Sequence, residues 1–148
     1  MREILFRGKR KDNDEWVEGD SLIHSMYKKG DVCIGVVEGL EIYSVIPETI
    51  GQYTGLTDKN GTKVFEGDIL SIARNSDGIG SYYYPPLKYP VNVFVCWDMC
   101  AWCWETICKE KYYICFPDAW CHFECEVIGN IHDNPELLEG SVDNASKT

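Results

Sequence analysis

The sequence predicts a mainly β protein with an N-terminal hairpin region and a short C-terminal helix. Short segments rich in β-branched and aromatic residues recur along the chain, and Gly, Asp, Asn or Pro bounds them. No window of adequate length repeats apolar residues at the three-and-four spacing of an amphipathic helix. These two observations favour strands over helices for most of the chain.

The predicted strands share a composition that suits a half-buried pleated surface. They are residues 2–7, 32–37, 41–46, 68–73, 91–97, 111–116 and 124–129. The pair Asn60-Gly61 predicts a hairpin with a type I′ turn, because both central residues of that turn need positive φ. Strands joined by tight turns therefore make up most of the predicted fold.

A short helix is predicted near the C-terminus, in the segment DNPELLEG. Asn134 can cap this helix, and Pro135 suits its first position. Glu136 suits the first turn, and Gly140 can end the helix. Residues 141–148 are small and polar, which predicts a flexible tail.

A Glu-Gly-Asp motif occurs in two similar segments, WVEGDSLI at residues 16–23 and KVFEGDIL at residues 63–70, and a further Gly-Asp pair precedes residue 32. Recurrence at three strand starts favours a turn over an active site. Glycine supplies the open backbone angle, and the aspartate accepts hydrogen bonds from backbone amides just beyond it. Small SH3-like barrels use such corners, so this barrel is the leading architecture. The predicted turn residues are Glu18, Gly19, Asp20, Gly30, Asp31, Glu66, Gly67 and Asp68.

Length and composition fit one domain. The chain has 148 residues, of which 45% are hydrophobic, and this is enough for a core. We expect a single domain over residues 1–140, with the N-terminal hairpin region at 1–45 and the barrel core at 46–140. Residues 75–90 are predicted to form an irregular insertion in that core. The candidate interaction surface of this insertion is Tyr82, Tyr83, Tyr84 and Tyr89.

The formal net charge of −10 opposes the phosphate backbone of nucleic acids. The N-terminus is the exception, with basic side chains at Arg2, Arg7, Lys9 and Arg10. A solvated strand end is the simpler interpretation of these residues. A basic stripe beside exposed aromatic side chains would instead favour a nucleic-acid-associated factor. The acidic remainder of the chain suits a basic protein partner or solubility.

The N-terminus carries charge from its second residue and lacks the apolar core of a secretion signal. No segment has the length of uncharged apolar sequence that a membrane helix needs. We therefore expect a cytoplasmic protein with no membrane partner. Its eight cysteines are then reduced thiols rather than a disulfide framework.

The cysteines offer an alternative, a structural zinc site. Cys100 and Cys103 have the spacing of half of such a site. Cys121 and Cys125 could supply the other half, although three residues separate them. In a continuous strand, moreover, Cys100 and Cys103 would point to opposite faces. Buried reduced thiols are therefore the prediction, with no metal and no cofactor.

The histidines suggest no catalytic centre. His24, His122 and His132 are far apart in the sequence, and each is predicted to be a strand or turn residue. We predict no catalytic residue. An enzyme that uses a Cys/His cluster is an alternative, and it requires a histidine at hydrogen-bond distance from a cysteine or carboxylate.

Residues 46–70, with ILFRGKRKDNDEWVEGDSLI before them and EVIGNIHDNPELLEG at the end, resemble the YopX-like family of phage and prophage proteins. The resemblance follows the chain in order except at its centre, residues 75–123. It implies a bacterial or phage cytoplasm, a fold related to SH3-like barrels, and assembly as a homo-oligomer. It implies no activity. The matching positions are Pro47, Glu48, Thr49, Gly51, Gln52, Tyr53, Thr54, Gly55, Asp58, Gly67 and Asp68.

The functional prediction is a non-enzymatic accessory protein of a phage or prophage. We expect no enzymatic activity, because the matching positions carry residues that fix a backbone rather than perform chemistry. We expect the protein to bind an unidentified host or phage protein and to self-associate. A nucleic-acid-associated phage factor and an enzyme are the alternatives. An apolar, self-complementary patch would favour the interaction hypothesis.

Overall fold

The computed structural model describes residues 3–24, 32–36, 41–74, 90–98, 101–105, 111–113 and 123–139. These residues are mainly β, which confirms the predicted fold class. The chain divides into two compact units, Met1–Leu56 and Thr57–Thr148. The single domain over residues 1–140 and its SH3-like closure stay predictions. In the described ranges, no helix has the length and apolar character that crossing a membrane requires.

The first unit contains the predicted N-terminal hairpin, formed by antiparallel β1 and β2. Strand β1 lies between β2 and β6, and a second sheet has the order β3-β4-β5. Strand β6 ends on the first residue of the second unit. The elements are β1 (Phe6–Lys9), β2 (Trp16–Gly19), β3 (Ser21–His24), β4 (Val32–Val36), β5 (Glu41–Val45), a 3₁₀ helix (Pro47–Thr49) and β6 (Gly51–Thr57).

The core of the first unit depends on a close approach between strands. Ile34 and Val45 are fully buried, and a Cβ atom at Gly8 would lie 3.2 Å from a side-chain atom of each. Glycine at position 8 therefore lets β1 lie directly on these side chains. The amide of Ile46 donates to the carbonyl of Lys9 at 2.8 Å, which joins the end of β1 to the end of β5.

The second unit is a five-stranded antiparallel sheet with a short helix. Its strand order is β11-β10-β9-β8-β12, and the pairing of β12 with β8 shifts register between Val127 and Gly129. The elements are β7 (Lys63–Phe65), β8 (Asp68–Arg74), β9 (Val91–Asp98), β10 (Ala101–Glu105), β11 (Lys111–Tyr113), β12 (Phe123–Asn130) and α1 (Glu136–Glu139).

The apolar core of the second unit lies on one face of this sheet. Alternate residues of β8 and β9 point to that face, as the period of a strand requires. Trp104 and Phe123 meet there edge to face, with ring centroids 5.3 Å apart. The buried members of this core cluster are Val64, Leu70, Ile72, Val93, Val95, Trp102, Trp104, Phe123 and Cys125. Their burial is the main source of stability in this unit.

The predicted C-terminal helix is present at Glu136–Glu139, and the side chain of Asn92 donates to the carbonyl of Leu137 at 2.8 Å. Asn134 lies at the predicted start of this helix. Its Oδ1 atom accepts the amide of Asn130, and its backbone carbonyl accepts the amide of Leu137. Gly140, the predicted stop, lies outside the described residues.

Candidate functional site

The second copy of the repeated motif forms a backbone corner at Gly67. Its φ angle is 83°, a conformation that residues with a side chain rarely adopt. Both polar groups of its backbone are bound: the amide donates to the carbonyl of Val95 at 2.8 Å, and the carbonyl accepts the amide of Ile131 at 2.9 Å. The corner therefore joins β9 to the loop that follows β12.

Asp68 supports this corner and is only 1% exposed. Its Oδ2 atom accepts the amide of Phe65 at 2.7 Å. This donor precedes the aspartate by three residues, because the chain folds back at Gly67, whereas the sequence predicted an amide just beyond the aspartate. Glu66 is half-buried beside them. A carboxylate buried in this way and bound to the backbone is structural rather than available to a substrate.

The first copy of the motif also lies between two strands, with a bend at Asp20 between β2 and β3, but its glycine lacks the predicted open backbone angle. Gly19 ends β2, and it is absent from the described residues with positive φ. A Cβ atom there would lie 2.2 Å from the carbonyl oxygen of Gly35. Glycine is needed at this position for close packing rather than for a turn. Glu18 and Asp20 are exposed on either side of it. The third pair, Gly30 and Asp31, lies outside the described residues.

Asp58 binds three backbone amides. Its Oδ1 atom accepts the amides of Asn60 at 2.8 Å and Thr62 at 2.9 Å. Its Oδ2 atom accepts the amide of Val127 at 3.0 Å, from a residue 69 positions away. The carboxylate is 7% exposed. Asp58 therefore fastens the loop between β6 and β7 to β12, an arrangement that we call the Asp58 clasp.

The ionisation of Asp58 follows from these bonds. Burial acts to raise its pKa, but the amides of Val127, Thr62 and Asn60 outweigh burial, and the pKa lies below the usual value of 3.8. The carboxylate is therefore charged at neutral pH. Next to it, the amide of Lys59 donates to the carbonyl of Cys125 at 2.9 Å and adds to the clasp.

The loop within the clasp is not the predicted type I′ turn. Gly61 has a φ angle of 82°, but Asn60 is absent from the described residues with positive φ. The amide of Gly61 donates to the carbonyl of Asp58 at 3.0 Å, and the amide of Asp58 donates to the carbonyl of Thr62 at 2.8 Å. This pattern is that of a longer hairpin loop with a left-handed glycine at its end. The side chain of Asp58 stabilises it by holding Asn60 in place.

The family-like signature between residues 47 and 55 also supports the backbone. The hydroxyl of Thr49 accepts the amide of Lys9 at 2.9 Å and donates to the carbonyl of Ile46 at 2.7 Å. The amide of Tyr53 donates to the carbonyl of Leu5 at 2.8 Å. Gly55 has a φ angle of 87°. The remaining signature residues build the same segment: Pro47 and Glu48 in the 3₁₀ helix, and Gly51, Gln52 and Thr54 in β6.

The basic N-terminal residues are engaged by groups of the protein itself. The guanidinium of Arg7 lies 4.8 Å from the centre of the Trp16 ring, and the ammonium of Lys9 lies 5.7 Å from it. Arg10 donates to Asp12 at 2.9 Å and lies over the ring of Tyr43. A base that stacked on Trp16 or Tyr43 would compete with these cation–π contacts. Arg2 lies outside the described residues.

The cysteines do not assemble as the zinc hypothesis requires. Cys125 belongs to the core cluster, whereas Cys103 pairs with Cys96, the neighbour of core residue Val95 in β9. Cys103 and Cys125 therefore point to opposite faces of the sheet and cannot hold one ion. Burial, with the charge of Asp58, raises the pKa of the Cys125 thiol to about 12.

Other predicted site residues lie outside the described residues. They are Cys100, Cys121, His122, Tyr82, Tyr83, Tyr84 and Tyr89. Where the structure does describe the chain, no three His, Cys, Asp or Glu side chains form a metal site. His24 and His132 are both exposed.

The sheet β3-β4-β5 has an outer face with two exposed isoleucines, which the sequence did not predict. It points away from buried Ile34 and Val45, because residues opposite one another in antiparallel strands share a face. Ile23 and Ile42 are 39% and 61% exposed there. The segment EIYSV at residues 41–45 gives no clear alternation that would indicate this face, because Ile42 shares it with Ser44. Two sets of residues lie opposite one another across the three strands on this face. One set is Ser21, Gly35 and Ile42, and the other is Ile23, Cys33 and Ser44.

Comparison with known proteins agrees with the resemblance found in the sequence. A search of curated proteins finds no relative that matches the chain. The family model described as YopX protein matches residues 5–139, which includes the Asp58 clasp, the Gly67 corner and the outer face of β3-β4-β5. The match covers well over half of the chain. The chain therefore belongs to the YopX protein family.

Proposed function

We propose that this chain is a cytoplasmic, non-enzymatic accessory protein of a phage or prophage that binds protein and self-associates. The observation that carries the proposal is the outer face of β3-β4-β5, where Ile23 and Ile42 project from a surface of small residues. Burying an isoleucine side chain stabilises an interface by about 1.5–3 kcal/mol. A second copy of the chain would bring four such side chains together around a two-fold axis.

The chemistry of the carboxylates supports a binding role over an enzymatic one. Asp58 and Asp68 are buried, and both carboxylates accept backbone amides. A catalytic carboxylate must instead reach a substrate proton or metal ion. The contacts of Arg7 and Lys9 with Trp16, together with the net charge of −10, count against nucleic acid as the partner.

Ile42→Asp is expected to abolish self-association. The substitution places a charge on the outer face, and an unpaired charge is costly to bury in an interface. Sedimentation velocity over a range of protein concentrations should show oligomers for the wild type and monomers for Ile42→Asp. Ile4→Asp is the matched control, because Ile4 is 56% exposed but precedes β1 and lies outside this sheet. Circular dichroism checks that both variants fold.

Two results would overturn the proposal. One is a wild type that stays monomeric at all concentrations and recovers no phage or host protein from lysogen lysate above background. The other is binding of purified protein to oligonucleotides in moderate salt, since electrostatic binding alone weakens steeply with salt. If Ile42→Asp and Ile4→Asp dissociate the oligomer equally, the protein self-associates through another surface.

A further inference from the structure

Two thiols face each other directly across the hairpin of β9 and β10. Cys96 and Cys103 are opposite partners in the antiparallel register, and their sulfur atoms are 2.8 Å apart. Opposite residues of an antiparallel pair have Cα atoms about 4.5–5.5 Å apart, within the range of about 4.4–6.8 Å that disulfides span. The two sulfurs can therefore bond without movement of the strands.

We propose that Cys96 and Cys103 are a redox-sensitive pair that closes reversibly to a cross-strand disulfide. The oxidant is a small-molecule disulfide of the glutathione class. The Cys96 thiolate attacks one sulfur of the oxidant, whose S–S bond breaks and releases one small thiol. The Cys103 thiolate then attacks the Cys96 sulfur of this mixed disulfide and releases the second small thiol. The two protein thiols together lose two electrons and two protons, and the two released small thiols contain these electrons and protons.

The surroundings of the pair set the order of these steps. Cys96 is half-buried, whereas Cys103 is fully buried. An external oxidant therefore reaches Cys96 first, and Cys103 acts as the resolving thiol. The Cys96 thiol donates a long hydrogen bond to a carboxylate oxygen of Glu105 at 3.9 Å. Cys33, by contrast, lies opposite Ile23 and Ser44, which carry no thiol.

Closure of the pair would affect the exposed end of the same hairpin. The next rung of the ladder joins Trp97 to Trp102, whose rings meet edge to face with centroids 4.8 Å apart. Trp97 is 50% exposed, so this rung is a surface feature that the adjacent disulfide would hold in one geometry. Tryptophan fluorescence therefore reports on the pair.

Peptide mapping of the full-length protein tests the proposal. The reduced protein is treated with glutathione disulfide, remaining thiols are alkylated, and the chain is cleaved with cyanogen bromide at Met99 and with trypsin at Lys88 and Lys109. Cys96 is then the one cysteine of residues 89–99, and fragmentation of the linked peptide in the mass spectrometer assigns its partner in residues 100–109. We expect a linked peptide that carries both cysteines, lacks two hydrogen atoms and separates again on reduction. A change in tryptophan fluorescence should accompany the link and reverse with it.

Three variants separate the roles of the two thiols. Cys103→Ser should accumulate a stable glutathione adduct on Cys96, because the resolving thiol is missing. Cys96→Ser should form neither the linked peptide nor an adduct on Cys103. Cys33→Ser is the matched control and should give the wild-type linked peptide. If the buried Cys103→Ser variant does not fold, the loss of the linked peptide in Cys96→Ser still tests the pair.

Three outcomes would overturn the proposal. The first is Cys103 linked to a cysteine other than Cys96. The second is that Cys96 and Cys103 both stay reduced at oxidant ratios that oxidise the same thiols in the denatured chain. The third is a glutathione adduct on Cys96 of the wild type that persists without passing to Cys103.

Discussion

Gly67→Val should lower the free energy of unfolding by about 2 kcal/mol or more, because a β-branched residue is strained at a positive φ angle. Gly67 has a φ of 83°, and it cannot relax easily because its amide binds Val95 and its carbonyl binds Ile131. A Cβ atom there would lie 3.6 Å from Ile131, which is an ordinary contact. Strain in the backbone, rather than crowding, is therefore the expected cause.

Gly61→Val is the matched control for this strain. Gly61 has nearly the same φ, 82°, and a Cβ atom there would meet nothing within 4 Å. Gly61 is exposed at a loop, whereas Gly67 is buried. The loop can adjust to a new side chain, so we expect Gly61→Val to cost clearly less. Urea unfolding at pH 7, followed by circular dichroism, measures both variants.

Asp68→Asn tests whether the aspartate or the glycine dominates the corner. Asparagine keeps a side-chain oxygen that can accept the amide of Phe65, so one bond survives the substitution. The expected loss is smaller than that of Gly67→Val. A larger loss for Asp68→Asn would show that the buried charge, rather than the glycine backbone, maintains the corner.

Local sequence patterns predicted most of the strands but not their partners. Strands β4, β5, β8, β9 and β12 begin within one residue of their predicted positions, because each is a short β-branched run with a clear boundary. Strand β10 (Ala101–Glu105) was missed, since its Trp and Cys residues suggested a metal motif. The first strand was predicted over residues 2–7 but spans Phe6–Lys9, because Gly8 packs against side chains distant in sequence.

In the Gly67 corner and the Asp58 clasp, too, the sequence predicted features with a local cause and did not predict features that depend on distant residues. The sequence indicated the turn at Gly67, because a positive φ is a local requirement that glycine alone satisfies easily. The sequence could not distinguish Gly19 from Gly67. Position 19 requires glycine because the carbonyl of Gly35, on another strand, leaves no room for a side chain. Nor could the sequence predict the clasp, because Asp58 and Val127 are 69 positions apart. Such contacts follow from strand register, which a single sequence does not specify.

Asp58→Ala should be among the most damaging single substitutions in the second unit, with an expected loss of about 3 kcal/mol in unfolding free energy. It would leave the buried amides of Asn60, Thr62 and Val127 without their acceptor, and each unsatisfied donor costs about 1–3 kcal/mol before relaxation. Asp58→Asn should lose less. Its one oxygen can still accept Asn60 and Thr62, but its NH₂ group would face the amide of Val127, and two donors cannot bond.

The pH dependence of stability distinguishes the charge of Asp58 from its shape. The folded-state pKa of Asp58 lies below its unfolded value, so the folded carboxylate binds a proton less readily than the unfolded one. Its contribution is therefore complete above the unfolded pKa, about 3.9, and is lost as pH falls through the folded pKa. Asp58→Asn lacks this titration. The stability difference between wild type and Asp58→Asn should therefore be largest at pH 7 and shrink as pH falls towards 3.

Urea unfolding between pH 3 and 7 measures this difference, with Asp20→Asn as the control. Asp20 is an exposed aspartate in the other unit, so its replacement should leave the pH profile close to that of the wild type. A constant stability difference between wild type and Asp58→Asn across this range would contradict the assignment, because a group with equal pKa values in both states adds no pH dependence. Convergence of the two curves in acid would instead identify the charge on Asp58 as the part of the clasp that holds the loop to β12.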